Sequence, residues 1–172
     1  MKVILYMGIS INGYIAKENG DSEWTSEEDL QGFYQHSKIA GNIVMGANTF
    51  KSASDYGYFP FPDALNVVMT QKEIENTWEH QAVFTNDSPK DVLKMLEEKG
   101  YKEAFVAGGG RLNSSFMKEK LIDEIYLDVE PLVLGKGIKL FAEDDFEFDL
   151  EFIESKNINL NTIQLHYRVV KG

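Results

Sequence analysis

A strand that runs into three glycines, Ala104-Phe105-Val106-Ala107-Gly108-Gly109-Gly110-Arg111, leads at once into an amphipathic segment carrying Leu112, Phe116, Met117 and Leu121. Glycines at a strand-to-helix junction let the backbone turn tightly and bring bare N–H groups against a ligand. The dipole of the following helix favours a negative group at that spot. The pattern suits the phosphates of a nucleotide. It also suits a tight βα turn whose glycines serve packing alone, and the triplet by itself does not separate the two. The chain has no cysteine, which excludes disulfides, thiolate catalysis and zinc–thiolate sites. His36, His80 and His166 are scattered without metal-ligand spacing, and no metal is expected.

The elements that must hold such a turn follow from the rest of the chain. Its 172 residues, 43% hydrophobic, suffice for one sizeable core and are too few for two comfortable ones, so residues 1–172 read as a single domain. The net charge of −11 opposes binding to nucleic acid or to an anionic membrane. An acidic chain that binds a phosphorylated ligand needs local positive potential, which helix-start N–H groups and a few placed cations supply. Residues 1–7 lack the apolar run and cleavage site of a signal peptide, and no stretch approaches the ~18–20 apolar residues of a membrane span. A cytoplasmic location is the expectation.

Residues 2–9, 42–46, 65–70, 82–85 and 124–131 read as strands, with another before the glycines. Thr25 to Ala40 reads as a helix with capping-box spacings at Thr25…Glu28 and Ser26…Asp29. A short helix is expected from Ala47. Ser88, Pro89 and Gly100 punctuate a helix over 88–99. Residues 10–24 and 54–64 read as loops. The first, with Asn19-Gly20-Asp21 and Trp24, is either a closing flap or an ordinary surface loop. Strands and helices alternate to about residue 130, which argues for a largely parallel sheet with helices on its faces. Residues 148–155 and 162–170 then read as antiparallel strands at a sheet edge.

Four segments in this order resemble the dihydrofolate-reductase fold family. They are Gly8-Ile9-Ser10-Ile11-Asn12-Gly13-Tyr14-Ile15-Ala16, Trp24-Thr25-Ser26-Glu27-Glu28-Asp29-Leu30, Val44-Met45-Gly46-Ala47-Asn48-Thr49-Phe50 and Val106-Ala107-Gly108-Gly109-Gly110-Arg111. They look most like the branch that forms the reductase domain of bifunctional deaminase-reductases in riboflavin synthesis. The resemblance implies an α/β, dihydrofolate-reductase-like fold with a mostly parallel central sheet, flanking helices and antiparallel C-terminal strands. It implies NADPH as cofactor, with NADH possible, and hydride transfer to a pyrimidine- or pterin-type heterocycle. It further implies a cis peptide at Gly108–Gly109 and a homodimer. Gly108, Gly109, Gly110, Arg111 and Leu112 would cradle the diphosphate, with Gly46, Asn48, Thr49 and Phe50 as the second phosphate-facing turn. Thr70 and Lys72 would hold the adenosine ribose and its 2′-phosphate, and Ile15 and Ala16 would lie beside the nicotinamide. Trp24, Asp29 and Phe33 would meet the substrate, Asp29 as the acid that assists proton delivery.

Departures from the family pattern shape this reading. Arg111 and Arg168 are the only arginines. Where folate enzymes place a carboxylate-binding arginine the chain reads Asp63-Ala64-Leu65, which opposes folate as the substrate. Ala47 replaces the arginine that follows Met-Gly in the family, which leaves NADH use open. Lys38 and Lys51 are candidate cations for a substrate phosphate. Asp29 is either the proton-delivering acid or a helix cap paired with Ser26. The aromatic loop 56–62 could line a flat pocket or pack on a second subunit. Dihydrofolate reductase itself and a non-catalytic nucleotide-binding protein are the alternatives.

Overall fold

The structure, a computed structural model, describes all 172 residues. Eight strands form one twisted sheet in the order β5-β4-β3-β6-β1-β7-β10-β9. The members are β1 (Lys2–Ser10), β3 (Asn42–Gly46), β4 (Leu65–Met69), β5 (Ala82–Thr85), β6 (Glu103–Val106), β7 (Glu124–Glu130), β9 (Leu150–Asn157) and β10 (Ile163–Val169). The first six to pair are parallel, from β5 across to β7. β10 runs antiparallel to β7, and β9 antiparallel to β10. The fold is therefore α/β, with a mostly parallel sheet and antiparallel C-terminal strands, as the resemblance implies. Four helices cross over the sheet: α1 (Glu27–Ala40), α2 (Ala47–Asp55), α3 (Pro89–Glu98) and α4 (Gly110–Lys118).

Strand alternation sorts the core onto the two faces of the sheet. Tyr6, Ile43, Met45, Val68 and Phe105 point to one face, where they pack with Ala40 of α1 and Ala53 of α2. Val3, Leu5, Val44, Val67, Ala104 and Val106 point to the other, against Val92 and Leu96 of α3 and Leu112, Phe116 and Met117 of α4. Each large side chain buried this way contributes about 1.5–3 kcal/mol. The helix boundaries obey local chemistry. Ser26 and Ser88 cap α1 and α3 by accepting from the backbone N–H groups of Asp29 and Asp91, and Pro89 opens α3. Gly41 closes α1 in the left-handed conformation.

One element departs from the expectation of a loop over residues 10–24, and its partner lies in a stretch assigned to no element. β2 (Tyr14–Ala16) and β8 (Ile138–Lys139) form a separate two-stranded sheet. Strands of three and two residues are too short to show alternation, and their pairing depends on a partner far along the chain. The aromatic loop also divides. Phe59 packs at 4.7–4.9 Å from Phe50 and Trp78, and Phe61 enters the core, while Tyr56 and Tyr58 stay exposed. No helix is long and apolar enough to cross a membrane.

Candidate active site

The carboxyl ends of β3 and β6 lie side by side, joined where the N–H of Ala107 donates to Val44 O at 2.9 Å and that of Gly46 to Gly108 O at 2.8 Å. α2 begins directly after Gly46 and α4 directly after Gly109. Neither helix has a side-chain cap, and neither carries an acid in its first turn. α1 and α3 have both. The junctions touch: a Cβ on Gly46 would stand 3.8 Å from Gly109 N, and one on Gly109 would stand 3.6 Å from Thr49 Oγ1 and 3.8 Å from Ile15 Cδ1. The expected residues Ile15, Gly46, Thr49, Gly108 and Gly109 are thus brought together. The Gly108–Gly109 peptide is cis, and Gly108 has a φ of 84°. Gly110 has a packing role: a side chain there would collide with the carbonyl of Lys139, and Gly110 O accepts from Ala142 N–H at 3.1 Å.

The flanking residues take varied positions. Ile15 and Ala16 are buried in β2, and Leu112 is buried in α4. Asn48 is exposed in the first turn of α2. Phe50 is committed to an aromatic cluster with Phe59, Trp78 and Phe84. Thr70 is buried just past β4, where its Oγ1 accepts from the Lys72 N–H at 3.1 Å. Lys72 and Arg111 are exposed and have no carboxylate partner, whereas Lys38 pairs with Asp63 and Lys51 with Asp55. Of these four cations, Lys72 and Arg111 are the two left without an ion pair, and Arg111 lies in the first turn of α4.

Asp29 sits at the other end of the site. It is 6% exposed, with its Oδ2 directly over β1, where a Cβ on Gly8 would come within 2.5 Å of it. Its backbone N–H donates to the Ser26 cap at 3.3 Å. Its carboxyl does not complete a capping box. The N–H and hydroxyl of Ser26 instead donate to Glu130 Oε1 at 2.8 and 2.6 Å. Asp29 Oδ1 is buried without any hydrogen-bond partner, and so is Trp24 Nε1 five residues earlier. Phe33 is partly buried in the aromatic core, 5.1 Å from Phe105 and 5.4 Å from Phe61.

The sequence reading missed the residues opposite Asp29. In the register of β1 with β7, Tyr6, Gly8 and Ser10 face Tyr126, Asp128 and Glu130. Asp128 accepts from the Tyr6 hydroxyl and from Gln164 Nε2, the latter at 2.8 Å. Glu130 Oε2 accepts from the Thr162 hydroxyl at 2.8 Å. Burial, then the Asp128 carboxylate, then Glu130 push the Asp29 carboxyl up to about 9, with a bond from Thr25 opposing. Burial and Asp128 push the Tyr6 hydroxyl far upward, so it remains a donor. A period-two signal was present, because Tyr126, Asp128 and Glu130 alternate, as do Thr162, Gln164 and His166.

Comparison with known proteins agrees with this architecture. A family profile described as the RibD C-terminal domain matches residues 1–163. The Bacillus subtilis (strain 168) protein YwjB, described as uncharacterized, is 32% identical over 173 residues, covering 96% of this chain and 97% of that one. Riboflavin biosynthesis protein RibD of Bacillus amyloliquefaciens is 28% identical over 171 residues, covering 77% of this chain and 46% of RibD. Among solved structures, a diaminohydroxyphosphoribosylaminopyrimidine deaminase/5-amino-6-(5-phosphoribosylamino)uracil reductase from Thermotoga maritima superposes with a TM-score of 0.78 at 16% identity. The match covers 98% of this chain and 56% of that one. A dihydrofolate reductase from Enterococcus faecalis, complexed with NADP(H), superposes with a TM-score of 0.75 at 18% identity, over 99% of this chain and 97% of that one. Those two likenesses bear on the fold, and the sequence match bears on ancestry: this chain belongs to the RibD C-terminal domain family.

Proposed function

We propose that the chain is an NAD(P)H-dependent reductase that delivers hydride to a pyrimidine- or pterin-type heterocycle, as in the 5-amino-6-(5-phosphoribosylamino)uracil reductase step of riboflavin biosynthesis. One observation carries the reading: two uncapped, acid-free helix starts, those of α2 and α4, abut at Gly46, Gly108 and Gly109. Their N–H groups and dipoles converge where a diphosphate fits. The unpaired Arg111 and Lys72 supply the positive charge that the acidic chain otherwise lacks, and they favour the extra phosphate of NADPH. A reduced nicotinamide dinucleotide held there would supply the hydride. Ile15 and Ala16 offer the apolar wall beside it. Positioning of this kind contributes up to several kcal/mol to a bimolecular reaction.

The protein's own chemical part is the proton. Asp29 is buried, unpartnered at Oδ1 and neutral at ordinary pH, so it is placed to donate to a substrate nitrogen or carbonyl. Dihydrofolate is the weaker substrate, since the place of the carboxylate-binding arginine reads Asp63-Ala64-Leu65, and Lys38 beside it is paired with Asp63 at 3.0 Å. Homodimerisation belongs to the same proposal, and sedimentation tests it.

The deciding experiment is titration of the protein with NADPH and NADH, followed by fluorescence of Trp24 and Trp78 and energy transfer to the nicotinamide. Tighter binding of NADPH than NADH is expected, with oxidation of the bound cofactor on adding a ribosylaminopyrimidine. Failure to bind either nucleotide would overturn the reading. Binding without turnover on any pterin or pyrimidine would select the non-catalytic alternative.

A further inference from the structure

The polar layer beneath α1 contains three carboxyl groups and no cation that bonds to any of them. Two of the three each accept two or three hydrogen bonds. Asp128 receives the Tyr6 hydroxyl and the Gln164 amide. Glu130 receives the Ser26 N–H, the Ser26 hydroxyl and the Thr162 hydroxyl. Such bonds favour the ionised form of an acid. Asp29 has no comparable set: Thr25 alone donates to its carboxyl, and its Oδ1 is buried without a protein partner. A buried unpaired carboxylate facing two others is the arrangement that buried groups avoid, so the proton of the group settles on Asp29.

Asp128 stands at the centre of this arrangement. It is fully buried and is the register partner of Gly8, the residue over which the Asp29 carboxyl lies. Tyr6, beneath the same helix, donates to Asp128 and lies 3.4 Å from the Asp29 carbonyl.

We propose that Asp128 is a positioning residue: held as an acceptor by Tyr6 and Gln164, it confines one proton to Asp29, so that the site meets its ligand with a buried carboxyl O–H donor. The ligand atom opposite Asp29 is then a hydrogen-bond acceptor, such as a ring carbonyl or an imine nitrogen. The inference rests on the reductase reading for its catalytic meaning and on the geometry alone for the proton. The groups facing Asp29 are Asp128 and Glu130 of β7, Tyr6 of β1 and Thr25 ahead of α1. His36 of α1 packs 5.0 Å from the Tyr6 ring and feels the charges of Lys156, Asp128, His166 and Lys2. Burial is the largest cause of the upward shift at Asp29, and the next are a hydrogen bond between the Asp29 and Asp128 carboxyl groups and the charge of Asp128, which supports the assignment.

The test is a carboxyl NMR titration of the full chain labelled with ¹³C-aspartate, with Asp29→Asn assigning the resonance. Asp29 is expected to stay protonated through neutral pH in the wild-type protein. In Asp128→Asn its midpoint falls by about one pH unit or more, since the like charge is gone while burial and Glu130 remain. An unchanged midpoint in folded Asp128→Asn protein overturns the proposal. If that variant fails to fold, Tyr6→Phe decides, because loss of the hydroxyl that donates to Asp128 loosens its hold as an acceptor and shifts the Asp29 curve. An Asp29 curve identical to wild type in Tyr6→Phe overturns it equally. In turnover assays the alkaline limb of kcat falls in parallel with the Asp29 midpoint while KM for the cofactor holds. Absence of wild-type turnover would sink the reductase reading and leave the titration result standing.

Discussion

Gly8 and Asp29 are interdependent at the scale of single residues. A methyl group at Gly8 would stand 2.5 Å from Asp29 Oδ2 and 3.0 Å from Thr25 Cγ2. Gly8→Ala should therefore displace the carboxyl, lowering kcat by about tenfold or more while the cofactor Kd stays near wild type, and costing about 1–3 kcal/mol by overpacking. Steady-state kinetics and cofactor titration separate the two effects. Asp29→Asn should reduce kcat by roughly 10²–10⁴ at unchanged cofactor affinity. Because the folded Asp29 carboxyl is raised above its ordinary value, its contribution to stability is full below about pH 4. That contribution is lost as pH climbs through the folded value near 9. Asp29→Asn removes this cost, so at pH 8 the variant should melt higher by roughly 2–4 °C, measured by calorimetry. A fall in Tm with no loss of kcat would assign Asp29 a structural role instead.

Elements explain two further glycines by different physics. Gly32 lies inside α1, where alanine would ordinarily stabilise the helix by about 1 kcal/mol. A Cβ there, however, would collide with the Tyr6 hydroxyl that serves Asp128. Gly32→Ala is expected to lower stability in urea melts, against its helix propensity. Gly109 is the opposite case. Its φ of −77° suits any residue, and a Cβ would meet Thr49 and Ile15 at ordinary contact distances. Gly109→Val should thus keep the fold, visible in an unchanged circular dichroism melt, while its branches fill the junction and abolish cofactor binding. Normal NADPH affinity in folded Gly109→Val would move the nucleotide elsewhere. The reciprocal half of the α1 capping box has passed from Asp29 to Glu130 of β7, 104 residues away from Ser26. That exchange leaves the Asp29 carboxyl outside the helix cap.

Over the whole molecule a net charge of −11 repels a dinucleotide carrying several negative charges. In the proposed site, Arg111, Lys72 and two helix starts would oppose that repulsion locally. Long-range repulsion acts over a Debye length of about 8–10 Å near physiological salt. Raising the salt from low to physiological levels should therefore speed NADPH association in stopped-flow fluorescence. Lys72→Ala should weaken NADPH more than NADH, and Arg111→Ala should weaken both, measured by fluorescence titration. The polar layer also binds remote parts of the chain, since the Tyr6 hydroxyl reaches Asp128 across 122 residues and lies 3.4 Å from Gln164 Nε2 across 158. The site is thus inseparable from the C-terminal strands.

The sequence alone determined the order of strands and helices, the serine caps of α1 and α3, the parallel sheet with its antiparallel tail and the glycine turn. Those features arise from local rules: alternation, capping, and the freedom of Gly108 at positive φ. It also determined Asp29 as a candidate acid and the freedom from thiol chemistry. Only the tertiary structure decided that Asp29 is not its helix's cap, that Gly110 packs on Lys139, and that Lys38 and Lys51 are already paired. It alone revealed the β2–β8 sheet and the carboxylates of Asp128 and Glu130 opposite Asp29. Each of these depends on which strands become neighbours. Sheet register sets the electrostatic environment of a buried carboxyl, and the residues that meet there lie about a hundred positions apart in the chain.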